Sequence, residues 1–276
     1  MTLELLICTI DHGIDHVCDL VLPPASDISY VVSWQHSATV DERTVPLALR
    51  RDDIKVVHLE GRGLSRNRNN CLRHATADLC LICDDDCSYT LDNLRTVITT
   101  FEQNPTTDLA AFMMQCPGQP KPYPTEICSL AHTPAGYYPS SVELAFRLSA
   151  VRNRLQFNEH FGLGAPLFHC SEEEILVHDA MSLGLQCQFF PLVIVEHNHP
   201  TTDASRATTP GVLMGKGAYL YIGYRSKMFL YPWPMAWRLR RRHGASFTYG
   251  LRHIYRGLFY VLRHREVATA GIIKKR

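Results

Sequence analysis

Leu79-Cys80-Leu81-Ile82-Cys83-Asp84-Asp85-Asp86 is the stretch on which the reading of this chain turns. A short apolar run predicts a buried strand. Three carboxylates follow at once, so they stand where that strand ends, at the rim of a sheet. Adjacent negative charges repel one another. Full solvation, a bound cation, or both relieve them. In an open α/β sheet, ligands gather outside the carboxyl ends of the strands. An acidic triplet there suits a divalent ion with oxygen ligands. A solvated Asp-rich turn is the competing reading, because Asp is common in turns.

Working outward, the chain alternates strands and helices. Leu3–Ile10 is nearly all apolar and reads as a central parallel strand. Residues 14–22 form a short helix stopped by Pro23-Pro24. Residues 27–34 and 54–59 are β-branched and aromatic, hence strands. Ser65 reads as the N-cap of a helix running towards Ala77. After the triplet come a helix over 91–101 and a strand over 108–115. Residues 116–141 are rich in Pro, Gly, Ser and Tyr and read as a long loop, a kind that is often functional when ordered. Glu172-Glu173-Glu174 leads into a helix closed by Gly184, and a last strand over 186–196 runs into His197-Asn198-His199. The alternation predicts an α/β fold with a mainly parallel sheet flanked by helices.

Several chemistries are excluded by inspection. Gly61-Arg62-Gly63 is followed by Arg66 where G-x-G-x-x-G needs a third glycine. Neither a P-loop nor a G-x-S-x-G nucleophile elbow is present. Cys80, Cys83 and Cys87 include a C-x-x-C spacing, but Cys80 and Cys83 fall on opposite faces of one strand. A zinc or iron–sulfur site is therefore not expected. The ten cysteines lie largely in apolar runs and suit a reducing cytosol. The N-terminal segment lacks the basic region of a signal peptide, and no apolar run is long enough to span a bilayer.

The ordered set Gly63-Leu64-Ser65-Arg66-Asn67-Arg68-Asn69, then Asp84-Asp85-Asp86, then Phe157-Asn158-Glu159-His160-Phe161-Gly162, then Ser171-Glu172-Glu173, resembles the family 2 glycosyltransferases. The resemblance covers about residues 3–199 and implies a GT-A fold of the bacterial cell-surface glycan type. It departs from the family at Ser171, where Gly is usual, and at Glu173, where Asp is usual. Relatives often end the second strand in an Asp that meets uracil, whereas this chain reads Ser33-Trp34-Gln35-His36.

The resemblance implies an inverting transfer from a nucleotide sugar, UDP-linked, to a hydroxyl of a glycan or lipid-linked acceptor. Mn²⁺ or Mg²⁺ would offset charge on the departing diphosphate. It makes Asp86 the direct metal ligand, Asp84 the contact to ribose or to the ion's waters, and Asp85 a support. His197 or His199 would complete the shell, a surface loop being the alternative for both. Arg66, at a helix start that favours anions, is the first candidate for nucleotide contact. Asn70 on the same helix, Thr9 at the end of the first strand and Gln35 join it. Glu173 aligns with the family's base, and Glu172 is the second candidate. Acids also favour a first helical turn through the dipole alone. Rival functions are a nucleotidyltransferase and a non-catalytic membrane-surface adaptor.

The net charge of +1 hides an asymmetry. Residues 1–203 carry 13 Lys/Arg and 26 Asp/Glu, whereas 204–276 carry 15 Lys/Arg and only Glu266. The expected division is a catalytic, nucleotide-sugar-binding domain over 1–203 and a basic, amphipathic helical region over 204–276. Arg238, Arg240, Arg241 and Arg242 follow an aromatic stretch holding Trp233 and Trp237. These features favour docking on an anionic membrane surface, and so a cytoplasmic protein at the membrane's inner face. A helical subdomain packed on the acidic part is the alternative. Nucleic acid is not expected, because no motif for it occurs.

Overall fold

The structure is a computed structural model, and it describes residues 1–36, 45–116, 121–134, 136–197 and 206–273. The chain divides into two compact units, one holding 1–62, 66–154 and 180–200, the other 63–65, 155–179 and 201–276.

The first unit is built on a sheet. Its strands are β1 (Leu3–Ile10), β2 (Ile28–His36), β3 (Ile54–Glu60), β4 (Leu79–Asp84), β5 (Cys87–Ser88), β6 (Leu109–Gln115), β7 (Cys128–Ser129), β8 (Leu144–Arg147) and β9 (Cys187–His197). Their order is β3-β2-β1-β4-β8-β6-β9-β5, with β7 on β9. The block β3-β2-β1-β4 is parallel. Beyond it the sheet is mixed, because β8 runs antiparallel to both β4 and β6. The physical reason lies in the long loop. It leaves β6 at one rim and enters β8 from that same rim, so no crossover helix is needed.

Seven of the eight residues of β1 are buried, as a central parallel strand requires. Leu3, Leu5 and Ile7 face a core that includes Val17 of α1 (Ile14–Leu20) and Leu94, Val97 and Phe101 of α3 (Leu91–Gln103). The opposite face meets α2 (Leu64–His74), where Cys71 Sγ lies 3.9 Å from Cys8 Sγ. Cys80 and Cys83 are both buried within β4, and all ten cysteines are free thiols. A short helix, α4 (Leu148–Val151), follows β8.

The second unit is helical. It holds most of α5 (Glu172–Ser182), and α6 (Pro210–Gly223), α7 (Pro232–His243) and α8 (Phe247–Arg263). The first tail helix is not basic. Ten residues of α6 are buried. Met214, Ala218 and Tyr221 of α6 and Val261 of α8 share a core with Phe161, Phe168 and Ile175. Asn158 Nδ2 donates to the Val267 carbonyl at 2.6 Å, and the Gln156 amide to the Gly271 carbonyl at 2.9 Å. The tail thus carries the Phe157–Gly164 turn on its own helices.

Helices α6 and α8 cross backbone to backbone. A Cβ on Gly217 would lie 1.9 Å from the Ile254 carbonyl oxygen, and one on Gly257 1.9 Å from that of Met214. Backbone atoms cannot swing aside, so overpacking here exceeds the usual range. Gly257→Ala is expected to cost about 3 kcal/mol or more in urea unfolding. A loss under about 0.5 kcal/mol would mean that the helices do not cross this closely.

Among the described residues no helix is long and apolar enough to cross a membrane.

Candidate functional site

Parallel pairing sets Cys8 beside Asp84, so Thr9 and Asp85 are the next neighbours at the rim. This is the switch point of the sheet, where β1 is flanked by β2 on one side and β4 on the other. Helix α2 supplies the polar framework. Asn67 Nδ2 donates to the Thr9 carbonyl at 3.0 Å. The Arg68 side chain is 3% exposed, and its Nη2 meets Asp84 Oδ1 at 3.1 Å. Ser141 Oγ approaches the other oxygen of Asp84 at 3.4 Å. Ser141 sits next to a capping box between Ser140 and Glu143, and Lys121 Nζ holds the buried Glu143 at 2.7 Å. The long loop therefore braces Asp84. Arg68→Met should cost about 2–3 kcal/mol of stability, less than a fully buried pair because Asp84 is partly exposed. An unchanged urea midpoint would show that Arg68 does not hold Asp84.

Asp85 turns inward. Thr9 Oγ1 donates to its Oδ2 at 2.5 Å. Burial pushes the Asp85 carboxyl up, Asp84 and Asp86 push it further, and the Thr9 hydroxyl opposes them. A Cβ on Gly13 would lie 2.4 Å from Thr9 Oγ1 and 2.5 Å from Asp85 Oδ2, so only hydrogen fits there.

Asp86 turns outward, with its side chain 40% exposed. Its Oδ1 lies 3.3 Å from Nε2 of His197, the last residue of β9. Antiparallel pairing of β5 with β9 sets Cys87 opposite His197. One donor atom each from Asp86, Cys87 and His197 lie within 4.8 Å of one another. Sequence reasoning weighed Cys87 only together with Cys80 and Cys83 and set it aside. Its signal was position, directly after the triplet, but the β5–β9 pairing that brings it to His197 is not local in sequence. His199 lies outside the described residues.

The remaining candidates are placed as follows. Gln35 is buried on β2, in register with Ile10 and Leu59. Arg66 is exposed on α2. Asn70 is buried. Its Nδ2 donates to Ser33 Oγ at 2.9 Å and its Oδ1 accepts from Arg73 at 3.0 Å. The structure thus spends Asn70 on holding α2 to β2. Beside Gln35 the rim carries a ring cluster of Trp34, His36 and His58, with His36 Nε2 and His58 Nδ1 3.2 Å apart.

Ser65 does not cap its helix. The Leu64 amide is already taken by the Leu163 carbonyl at 2.8 Å, and Ser65 Oγ donates to the Phe161 carbonyl at 2.6 Å. The helix therefore starts at Leu64, tethered by the Phe157–Gly164 turn. In the same unit Gly162 adopts φ 100°, and a Cβ there would meet Ser65 Oγ at 3.0 Å and Glu172 Cδ at 3.1 Å. Three quoted motifs thus converge: the start of α2, the turn and the acidic start of α5. Ser171 precedes α5 with φ 74°, the conformation that explains why Gly is usual there. Glu172 is buried, while Glu173 and Glu174 are half-buried.

A depression of about 570 Å³ lies at the other ends of the strands, lined by Asp78, Arg147 and Arg152 among others. Its arginines are engaged by backbone carbonyls, Arg147 by Thr107 and Phe101 and Arg152 by Ala75. The chemistry-bearing groups are at the opposite rim.

Comparison with solved structures supports the fold. S. aureus TarS 1-349 in complex with UDP-GlcNAc aligns over 98% of this chain and 82% of that one, at 16% identity and TM-score 0.61. The same protein in complex with UDP aligns over 96% and 92%, at 12% identity and TM-score 0.57. Without a named ligand it aligns over 96% and 74%, at 14% identity and TM-score 0.57. No curated protein matches the sequence significantly. The mixed sheet with its flanking helices is that of the GT-A fold. Residues 38–163 match the model for Glycosyl transferase family 2, a span that includes α2 and the triplet and ends in the Phe157–Gly164 turn. Over this segment the chain is similar to the family 2 glycosyltransferases.

Proposed function

We propose that this enzyme moves a sugar from a UDP-linked donor to a hydroxyl of a bacterial cell-surface glycan or lipid-linked acceptor. The observation that carries the reading is the meeting of Asp86 and His197 at the switch-point rim, 3.3 Å apart, with Cys87 beside them. The UDP-GlcNAc and UDP complexes of TarS, similar in fold, favour a uridine nucleotide. The enzyme would work at the inner face of a membrane, where such acceptors are made.

The donor set fits a divalent cation: one carboxylate, one imidazole and one thiol, within reach of a single ion. Such an ion, held by Asp86 and His197 with Cys87 in reach, would offset the charge developing on the diphosphate. The thiol and imidazole favour Mn²⁺ over Mg²⁺, which prefers oxygen. Asp84, held by Arg68 and Ser141, would meet the ribose. Asp85 supports from below through Thr9. Gln35 offers an amide edge to the base, and Arg66 a positive charge to the phosphates.

Glu173 takes the proton of the acceptor hydroxyl, with Glu172 as second candidate. The acceptor oxygen then bonds to the anomeric carbon as its bond to the diphosphate oxygen breaks. The electron pair leaves with UDP, and direct attack inverts the anomeric carbon.

A panel of nucleotide sugars tested by thermal shift, with Mn²⁺, Mg²⁺ or chelator, checks this. The expected result is a rise in Tm with a UDP-sugar that is larger with Mn²⁺ than with Mg²⁺. Release of pyrophosphate instead of nucleoside diphosphate would turn the assignment to a nucleotidyltransferase. No response to any nucleotide sugar would favour a non-catalytic adaptor.

A further inference from the structure

Helix α7 presents two faces of different chemistry. At about 100° per residue, Trp233 and Trp237 fall on one stripe, and Arg240 and Arg241 fall to either side of it. Pro232 and Ala236 lie towards the opposite side and are buried. Ala236, with Met235 and Leu239, packs against Leu213, Ile254 and Leu258 of the neighbouring helices. The outward stripe has no such cover. Trp233 and Trp237 are each 54% exposed, and Leu230, one turn ahead, is 69% exposed.

The polar atoms of this patch are already satisfied. Trp233 Nε1 donates to the Tyr255 hydroxyl at 3.1 Å, and that hydroxyl donates to the Phe229 carbonyl at 2.7 Å. The rings are also backed rather than loose. Phe247 lies 5.8 Å from Trp233 and 6.5 Å from Trp237, and Arg240 sits over the Trp237 ring at 5.9 Å. What faces outward is therefore apolar ring and aliphatic surface edged by guanidinium groups. Charge agrees. Residues 206–273 hold 12 Lys/Arg and the single acid Glu266.

We propose that this face of α7, led by Leu230, is a docking surface for an anionic lipid bilayer. The helix lies in the interface plane, Trp233 and Trp237 sit at headgroup level, and Arg240 and Arg241, which flank them, meet lipid phosphates. Nucleic acid would use the arginines and ring faces, but it has no use for the exposed aliphatic Leu230. An acidic protein groove would not reward seating two indoles at one depth. The surface concerns the second unit alone, so it stands whichever donor the transferase uses.

Flotation of the full chain with vesicles tests it. Phosphatidylcholine vesicles with about 30% phosphatidylglycerol are compared with phosphatidylcholine alone. Binding is expected only to the anionic vesicles, and it weakens as salt rises. Trp34 is 2% exposed, so a blue shift in tryptophan emission reports Trp233 and Trp237. The double variant Trp233→Ser, Trp237→Ser should lose about tenfold or more in vesicle affinity and all of the shift, with its thermal melt retained. Arg→Gln at positions 238, 240, 241 and 242 should remove the preference for anionic lipid. Wild-type protein that ignores anionic vesicles overturns the proposal. So does vesicle binding untouched by the tryptophan variant, or binding to single-stranded oligonucleotide or acidic polypeptide without vesicle binding.

Discussion

An Asp86→Ala variant will show no Mn²⁺-dependent rise in Tm with nucleotide sugar and will turn over about a thousandfold more slowly. A Lewis-acidic cation contributes several kcal/mol to a transition state that gathers negative charge, and about 4 kcal/mol is roughly three orders of magnitude. The three aspartates cannot substitute for one another. Asp84 is held by Arg68 at 3.1 Å and approached by Ser141. Asp85 is turned inward to Thr9. Asp86 is the exposed carboxylate beside His197. The His197→Ala variant should lose less, about 10–100-fold, because it leaves a carboxylate in place. Full activity of Asp86→Ala in chelator would remove the cation from the mechanism.

The second large effect is expected at the start of α5. Glu173→Gln should lower kcat by about 10²–10⁴ and leave donor affinity near wild type, because a general base acts on the acceptor hydroxyl alone. Glu172 provides the contrast. It is 6% exposed, and its carboxylate carbon lies where a Cβ on Gly162 would come within 3.1 Å. Its substitution should therefore disturb the turn and lower stability as well as rate. Isothermal titration with UDP and initial rates with saturating donor separate these outcomes. Glu173→Gln with kcat within twofold of wild type would withdraw the assignment. A larger, stability-neutral loss in Glu172→Gln would pass the role to Glu172.

Much of the architecture was legible because it rests on local periodicity. The β1 and β4 apolar runs, the α3 helix and the Gly-marked turn over 157–164 all stand where their residues predict. What failed was long-range in origin. Ser65 had every local mark of an N-cap, yet a turn almost 100 residues later supplies the tether. Asn70, named as a candidate for nucleotide contact, is held inside by Ser33 and Arg73, partners that only the fold supplies. The mainly parallel sheet stands as expected, but no composition signals that a loop will return to its own rim as the antiparallel β8.

The amino-acid sequence alone determined the alternating α/β order, the acidic rim at the end of β4 and the basic character of the tail. These follow from side-chain spacing and charge, which need no partner to be read. Only the tertiary structure decided how differently the three aspartates are held, because Arg68, Thr9 and His197 arrive from three different elements. It alone brought Cys87 beside His197. It also made the tail part of the fold, since α6 and α8 share one core with Phe161, Phe168 and Ile175. Contacts between residues distant in sequence depend on which surfaces pack together, and only the folded chain determines that.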